Sequence, residues 1–305
     1  MKLEALRTST SNRLLLVDGH AYAYRAFFAI RHLASPTHQP TNAIYGFISM
    51  LNGMIEATQP THFCVVWDGG LSPERTQLLP QYKAQRPSMP EDLRSQFDPL
   101  ASYLRADGFE SFCQDGVEAD DYIGCLALHG AQAGFTVIVA SPDKDFMQLV
   151  SSQVLIFNPK EKGGDLMGPE AVIQKTGVRP SQVVDWLSLV GDSADNIPGV
   201  PGIGPKTAAQ LLVAYDSIDG IYARLDEVQP ARVKDLLAAS KHVAFMNREL
   251  TRLQTDIACD FSEARFSRRK RDLPALRALY QSWGFRKLLA GLDADQLHTP
   301  ELALQ

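Results

Sequence analysis

The chain has 305 residues, 45% of them hydrophobic and 21% charged, and a formal net charge of −5. That is the balance of an ordinary globular protein with room for one large domain or two of medium size, and at face value its sign argues against a nucleic-acid partner. No apolar run approaches the ~18 residues that span a bilayer, and residues 1–13 are polar with no apolar signal core, so a cytoplasmic protein without membrane contacts is expected.

In chain order, Leu14-Leu15-Leu16-Val17 is a continuous apolar run ending at Asp18-Gly19, as a buried parallel strand ends in a loop. Residues 62–67 repeat the pattern and end at Asp68-Gly69-Gly70. Residues 135–140 do so again, running into Ser141-Pro142-Asp143-Lys144-Asp145. Helical stretches at 43–56, 92–106 and 120–133 lie between, and a fourth strand at 154–157 precedes the turn-rich residues 158–164. This is the βαβ alternation of an α/β fold, a parallel sheet covered by helices, whose ligand crevice lies at the carboxyl ends of the strands. Three of those ends carry an acid. From Gly168 onward the chain reads as short helices at 169–176, 180–190, 205–215, 218–225, 230–250 and 274–289. No internal repeat of solenoid length and no low-complexity segment interrupts them.

The stretch Glu118-Ala119-Asp120-Asp121 opens the helix at 120–133 with three carboxylates in four residues. Acids favour a helix start through capping and the dipole, but one cap does not need three, so cap and metal site both stay open here. With Asp18, Asp68, Asp143 and Asp145 they come from four separate strand ends or helix starts on one face. Each alone reads as a turn or cap residue. Together, without His or Cys beside them, they favour hard cations, Mg²⁺ with Mn²⁺ as a substitute, of the kind that in pairs hydrolyse phosphodiesters.

Residues 69–92 are interrupted by Pro73, Pro80, Pro87 and Pro90, with Arg75, Tyr82, Lys83 and Arg86 between them. Basic groups and an aromatic at the mouth of an acidic crevice suit a phosphate backbone and a stacked base; the plainer alternative is a solvated surface loop. A second motif is Leu189-Val190-Gly191-Asp192-Ser193-Ala194-Asp195-Asn196-Ile197-Pro198-Gly199-Val200-Pro201-Gly202-Ile203-Gly204-Pro205-Lys206-Thr207. One helix ends, a glycine hairpin turns, and a second helix starts with proline at its first position. Such a helix-hairpin-helix grips a phosphate backbone through Gly202, Gly204, Lys206 and Thr207 without reading bases. Pro205 stands where a P-loop requires lysine, which excludes that motif. Asp192 and Asp195 bring the acids to nine; setting these aside turns the net charge from −5 to +4, compatible with a polyanion.

The remaining features are weaker. His20 reads as a hydrogen-bonded structural histidine close to Asp18, and Tyr22 and Arg25 face phosphate or are a packed tyrosine and a surface arginine. Trp67 and Trp186 read as core, and Arg268-Arg269-Lys270-Arg271 as a solvated face or a track along duplex DNA. Cys64, Cys113, Cys125 and Cys259 form no C-x-x-C pair and sit in apolar or strand-like surroundings, so free buried thiols are expected rather than disulfides or zinc ligands.

Leu15-Leu16-Val17-Asp18-Gly19-His20 with Tyr24-Arg25, Val66-Trp67-Asp68, Tyr82-Lys83-Ala84-Gln85-Arg86, Glu118-Ala119-Asp120-Asp121, Asp143-Lys144-Asp145 and Gly191-Asp192-Ser193-Ala194-Asp195-Asn196-Ile197-Pro198-Gly199-Val200 resemble, in order, the motifs of the 5′-nuclease (flap endonuclease) family. The likeness is closest to the 5′-3′ exonuclease domain of bacterial DNA polymerase I and runs over residues 14–291. It implies a PIN-like core at 14–167 with an arch at 69–95, a helix-hairpin-helix region at 168–291, and polar ends at 1–13 and 292–305. It also implies two-metal hydrolysis of 5′ flaps, nicks or overhangs and RNA primers in replication and repair. Asp18, Asp68, Glu118, Asp120 and Asp143 would serve one ion and Asp121, Asp145, Asp192 and Asp195 the other. Tyr82, Lys83 and Arg86 would belong to the arch, with Lys83 stabilising the transition state, and K⁺ would sit on the hairpin carbonyls. A link to a DNA polymerase follows from the same likeness; a stand-alone nuclease and an excised domain fit it equally. The competing readings are a PIN-type ribonuclease, which needs neither hairpin nor arch, and a non-catalytic module that holds branched DNA.

Overall fold

The computed structural model describes residues 12–158 and 165–298; most of the N-terminal tail, the turn at 159–164 and the last residues lie outside it. Six strands form one sheet in the order β3-β2-β1-β4-β5-β6, with β1 (Arg13–Asp18), β2 (His62–Trp67), β3 (Glu110–Cys113), β4 (Thr136–Ala140), β5 (Val154–Asn158) and β6 (Asp165–Met167). The first five run parallel, and β6 pairs antiparallel with β5. Leu15 of β1 lies level with Phe63 and Ile138, so the apolar runs of the three central strands stack in register. The chain runs outward from β1 to the edge at β3 and then returns to β4 on the other side of β1. This order reverses between β1 and β4, which opens a crevice at their carboxyl ends.

Both faces of the central strands are buried, which is why they are apolar throughout rather than alternating. On one face Leu15 and Val17 pack against Tyr22 of α1 (Gly19–Ala29) and Ile44, Phe47 and Ile48 of α2 (Asn42–Thr58). The short α3 (Pro73–Leu78) and α4 (Glu91–Arg94) follow, and then α5 (Phe97–Ala106) joins that face. On the other face Leu14 and Leu16 meet Ile123 and Leu126 of α6 (Ala119–Gln132). That second core continues without a break into the helical region. Helices α7 (Pro169–Thr176), α8 (Val183–Val190), α9 (Pro205–Tyr215), α10 (Ile218–Ala223), α11 (Ala231–Ala239) and α12 (Lys241–Thr251) add Val172, Leu187, Leu212, Ile221, Leu237 and Ala244 to it. After α13 (Glu263–Phe266), helices α14 (Leu273–Trp283) and α15 (Arg286–His298) return to the first face, where Leu276, Tyr280 and Trp283 are buried.

Several predicted helices are divided. The stretch at 92–106 breaks after Arg94, the one at 230–250 breaks at Ser240, and the one at 274–289 breaks where Gly284 adopts φ +73 as a left-handed cap. Trp67 and Trp186 are buried, as read from the sequence. The arginine run at 268–271 is mostly committed within the fold. Arg268 and Arg271 both pair with buried Asp107, and Arg269 pairs with Glu110, which pins the approach to α14 onto the sheet edge. The cysteine expectation needs correction: Cys125 and Cys259 are disulfide-bonded, Cys64 is free and buried, and Cys113 is free but exposed. With a sequence separation of 134 between the partners, no local spacing signals that pair. Among the described residues no helix is long and apolar enough to cross a membrane.

Candidate active site

The central parallel strands β1, β2 and β4 each deliver an acid from their carboxyl ends into the crevice, and local hydrogen bonds fix where it points. Asp18 caps α1, its Oδ1 accepting from the Ala21 N–H at 3.0 Å and its Oδ2 from Ser141 Oγ at 2.9 Å. Asp68 follows β2, and its own N–H donates to His20 Nδ1 at 3.0 Å. Burial lowers the His20 pKa to about 4, so near neutrality the ring is uncharged and its Nδ1 is an acceptor. His20 is therefore the structural histidine expected, and it positions Asp68. Beyond β4, Asp143 Oδ1 accepts from the Asp145 N–H at 2.9 Å. Asp192 and Asp195 lie in a turn closed by reciprocal Asp192–Ile197 backbone bonds of 2.9 and 2.8 Å.

Glu118 occupies the N-cap of α6, yet its side chain makes no capping bond. It turns instead toward the stretch between β2 and α5, accepting from the Ser72 N–H at 3.2 Å, Arg75 Nη1 at 2.8 Å, Tyr82 Oη at 3.0 Å and Lys83 Nζ at 2.9 Å. Asp121 takes the Arg75 guanidinium on both oxygens at 2.7 Å and the Gln254 N–H at 2.8 Å. Arg86 Nη2 reaches Asp195 at 2.6 Å, and Lys144 Nζ lies 3.2 Å from Asp192. The acids are thus met by cations from the same chain, three of them from the prolyl stretch. That stretch is no solvated loop: Arg75, Tyr82 and Lys83 are at most 5% exposed, and the Lys83 N–H donates to the Asp195 carbonyl. With its ring packed and its hydroxyl on Glu118, Tyr82 offers no face to a base here.

The electrostatics report a shortage of positive charge. Desolvation first, then the neighbouring carboxylates, raise Asp18 and Asp68 to about 6 and Asp143 to about 7, and push Asp145 well above its ordinary value. Burial alone lowers the Lys83 pKa, but Asp120, Glu118 and Asp195 outweigh it and hold the ammonium charged. The oxygens of Asp145, Asp192 and Asp195 lie within 4.8 Å of one another, and Asp145 Oδ1 is buried with no hydrogen-bond partner. An all-oxygen donor set with an orphaned buried oxygen fits a divalent cation. The cleft beside it, about 1010 Å³, is lined by Asp18, Asp68, Asp120, Asp143, Lys83 and Arg86, with Tyr24 and Phe28 at its mouth.

Of the nine predicted acids, Asp18, Asp68, Asp120, Asp143 and Asp192 line this cleft, Asp145 and Asp195 cluster with Asp192, and Glu118 and Asp121 are buried on Arg75. Tyr22 does not line the cleft: it is 1% exposed and packs in the core, because on α1 the crevice side falls to Tyr24 two residues on. Arg25 is half-buried on the same helix. Arg75, which the sequence offers only as a basic group at the crevice mouth, instead binds Glu118 and Asp121, 43 and 46 residues away.

On the helical side, α8 ends at Gly191, where an added Cβ would stand 2.3 Å from the Gly199 nitrogen, and Gly199 itself abuts the Val190 carbonyl. Only glycine permits that crossing of backbones. The hairpin then exposes Gly202, Gly204 and Lys206 and leaves Thr207 half-buried, while no side chain caps the start of α9.

Comparison with known proteins follows the same division. A family model of the 5′-3′ exonuclease N-terminal, resolvase-like domain matches residues 13–177, and one of the 5′-3′ exonuclease C-terminal SAM fold matches residues 178–273. The chain is 37% identical over 280 residues to a 5′-3′ exonuclease of Aquifex aeolicus, covering 92% of this chain and 95% of that protein. It is also 37% identical over 284 residues to DNA polymerase I of Bacillus caldotenax, covering 92% of this chain but 32% of the polymerase, so it spans about a third of such relatives. Solved structures share the fold. T5 5′-exonuclease with bound zinc has a TM-score of 0.67 at 23% identity, covering 94% of this chain and 98% of that one. The Rad2 catalytic core with DNA substrate also has a TM-score of 0.67, at 14% identity, covering 97% and 94%.

Proposed function

Because this chain belongs to the 5′-3′ exonuclease family, we propose that it hydrolyses phosphodiester bonds near the 5′ ends of flaps, nicks and overhangs in DNA, including RNA primers paired to DNA. The observation that carries the reading is the crevice itself: carboxylates brought together from strand ends, a helix start and the hairpin turn, one of them with an orphaned oxygen, and lined as well by Lys83 and Arg86. Two Mg²⁺ ions, or Mn²⁺ in their place, would supply charge for the attacking water and the departing oxygen. Asp18, Asp68, Glu118, Asp120 and Asp143 would hold the first and Asp121, Asp145, Asp192 and Asp195 the second.

The chain's own residues do the rest. Lys83 and Arg86 stand over the acids, where they would meet the scissile phosphate and stabilise the charge that grows on its oxygens. Arg75 holds Glu118 and Asp121 in place, and His20 holds Asp68. The segment 69–95 acts as the arch that a 5′ single strand enters, and Arg25 contributes to phosphate binding on the same side. Residues 14–167 form the catalytic unit. Residues 168–291 hold the duplex, through hairpin N–H groups, Lys206 and Thr207, with K⁺ on the hairpin carbonyls; the nick is passed to a DNA polymerase.

A 5′-labelled flap on duplex DNA, incubated in Mg²⁺ and in EDTA beside a single-stranded RNA, tests the reading. The expected result is Mg²⁺-dependent cutting near the junction with the RNA intact. RNA cutting that ignores duplex structure would make it a ribonuclease. Tight binding without cutting in Mg²⁺ or Mn²⁺ would make it a DNA-holding module.

A further inference from the structure

The segment 252–262 carries no helix or strand and runs the length of α6 like a strap. The Gln254 N–H meets Asp121 at the start of the helix, and Leu253 and Thr255 close over Gly124. Phe261 lies against Gly130 near its end. Between these, Cys125 faces the Ile257 carbonyl with Sγ–O at 3.4 Å and is bonded to Cys259, and His129 Nδ1 lies 3.0 Å from Cys259 Sγ. Cys125 is fully buried, whereas Cys259 and His129 are half-exposed.

We propose that Cys125 and Cys259 are a reversible thiol–disulfide pair, with His129 as its acid–base partner, that fastens and releases the strap behind the helix bearing Asp120 and Asp121. The placement supports exchange rather than a permanently sealed bridge, because Cys259 is only half-buried and has an imidazole beside it. In a reducing compartment such a pair rests as two thiols and is bridged only under oxidation. The oxidant is a low-molecular-weight disulfide such as oxidised glutathione. Cys259, its proton taken by His129, attacks one sulfur of that disulfide, breaking its S–S bond and releasing one small thiol. The Cys125 thiolate then attacks Cys259 Sγ of the mixed disulfide, forming the internal bond, and the second small thiol leaves with a proton. Two protein thiols are oxidised and one small disulfide is reduced to two thiols. The fastened strap keeps the Gln254 N–H on Asp121, so the pair couples redox state to the rigidity of the acidic helix.

The test uses the full chain, equilibrated with oxidised or reduced glutathione, then denatured, alkylated and weighed. Of the four cysteines, two should alkylate after oxidation and four after reduction, with a peptide cross-linked between positions 125 and 259 recovered only from the oxidised sample. The oxidised form should melt about 5–10 °C higher, as expected for closing so long a loop. Cys259→Ser should melt with the reduced wild type in both buffers. His129→Ala should slow bridging roughly tenfold and leave its end point unchanged. Four alkylated cysteines in both buffers, a bridge through Cys64 or Cys113, or thiols shielded by zinc until a chelator is added would each overturn the proposal. None of these readouts involves DNA, so failure here is separate from failure of the nuclease assay.

Discussion

Around Asp145 the chain buries carboxylates and surrounds them with ammonium and guanidinium groups drawn from a distant stretch; Glu118, Asp121, Asp145, Asp192 and Asp195 are all at most 5% exposed. Around Gly202 and Lys206 it leaves backbone and side chain in solvent. Both regions sit on the same continuous core, so packing does not distinguish them. What differs is where charge is desolvated. On the proposed function, a crevice acting on one phosphate gains by holding its acids out of water, because charges interact more strongly in a low-dielectric site than in water. A surface proposed to hold any duplex would keep exchangeable, salt-sensitive contacts.

Perturbing the two regions should therefore give effects of different size and kind. Asp143→Ala should reduce flap cleavage to about a thousandth of wild type or less. Its affinity for the flap in EDTA should change little, and an active variant would remove Asp143 from the site. Lys83→Ala should lower the single-turnover rate by roughly 10²–10³-fold with a smaller change in DNA affinity; equal losses in both would mean that Lys83 only binds. Arg75→Ala strands Asp121 without its cation and leaves Glu118 only Lys83, and urea unfolding of the metal-free protein should show a loss of about 3–5 kcal/mol. Arg75→Lys should restore little of it, because an ammonium cannot serve both oxygens of Asp121.

The acids also set a pH dependence. The folded-state pKa of Asp143, about 7, lies above its ordinary value of 3.8, so the folded state holds its proton more tightly than the unfolded chain does. Stability from this source is full below about pH 4 and is lost as pH rises through 7. Metal-free protein should thus lose thermal stability over that interval, and added Mg²⁺ should restore progressively more of it at the upper end. A melting temperature that rises steadily from pH 4 to 7 without metal would contradict the assignment. The smallest effect belongs to the hairpin: Lys206→Ala should weaken duplex binding several-fold at low salt and reduce the salt slope by about one, with no change in the rate of the bound complex.

The two regions were not equally legible. Asp18, Asp68 and Asp143 stand where apolar runs stop, and a parallel sheet brings such ends together whatever the intervening sequence, so their convergence could be read from local pattern. The glycine hairpin is likewise local. Arg75 was not legible as a site residue, because only the tertiary fold places its guanidinium between two acids far along the chain. For the same reason, the sequence shows the prolyl stretch as basic groups at the crevice mouth but not that Arg75, Tyr82 and Lys83 are buried against the acids. Strand β3 gives no signal because three half-exposed residues and the exposed Cys113 make no buried apolar run, and the breaks at Ser240 and Gly284 fall inside helical patterns that continue on both sides. Of the two readings open for Tyr22, the packed tyrosine holds, because a helix starting at Gly19 turns Tyr22 to the core and Tyr24 to the cleft. Cys125 and Cys259 are joined through the strap, which has no periodic signature of its own.

The claim that these acids form a divalent-cation centre is most directly tested by titrating Mn²⁺ into wild type and Asp145→Ala in a calorimeter, without DNA. The account predicts two sites in the wild type and the loss or marked weakening of one in the variant, since Asp145 holds the orphaned oxygen. Identical isotherms for the two proteins, or no binding up to millimolar Mn²⁺, would contradict it.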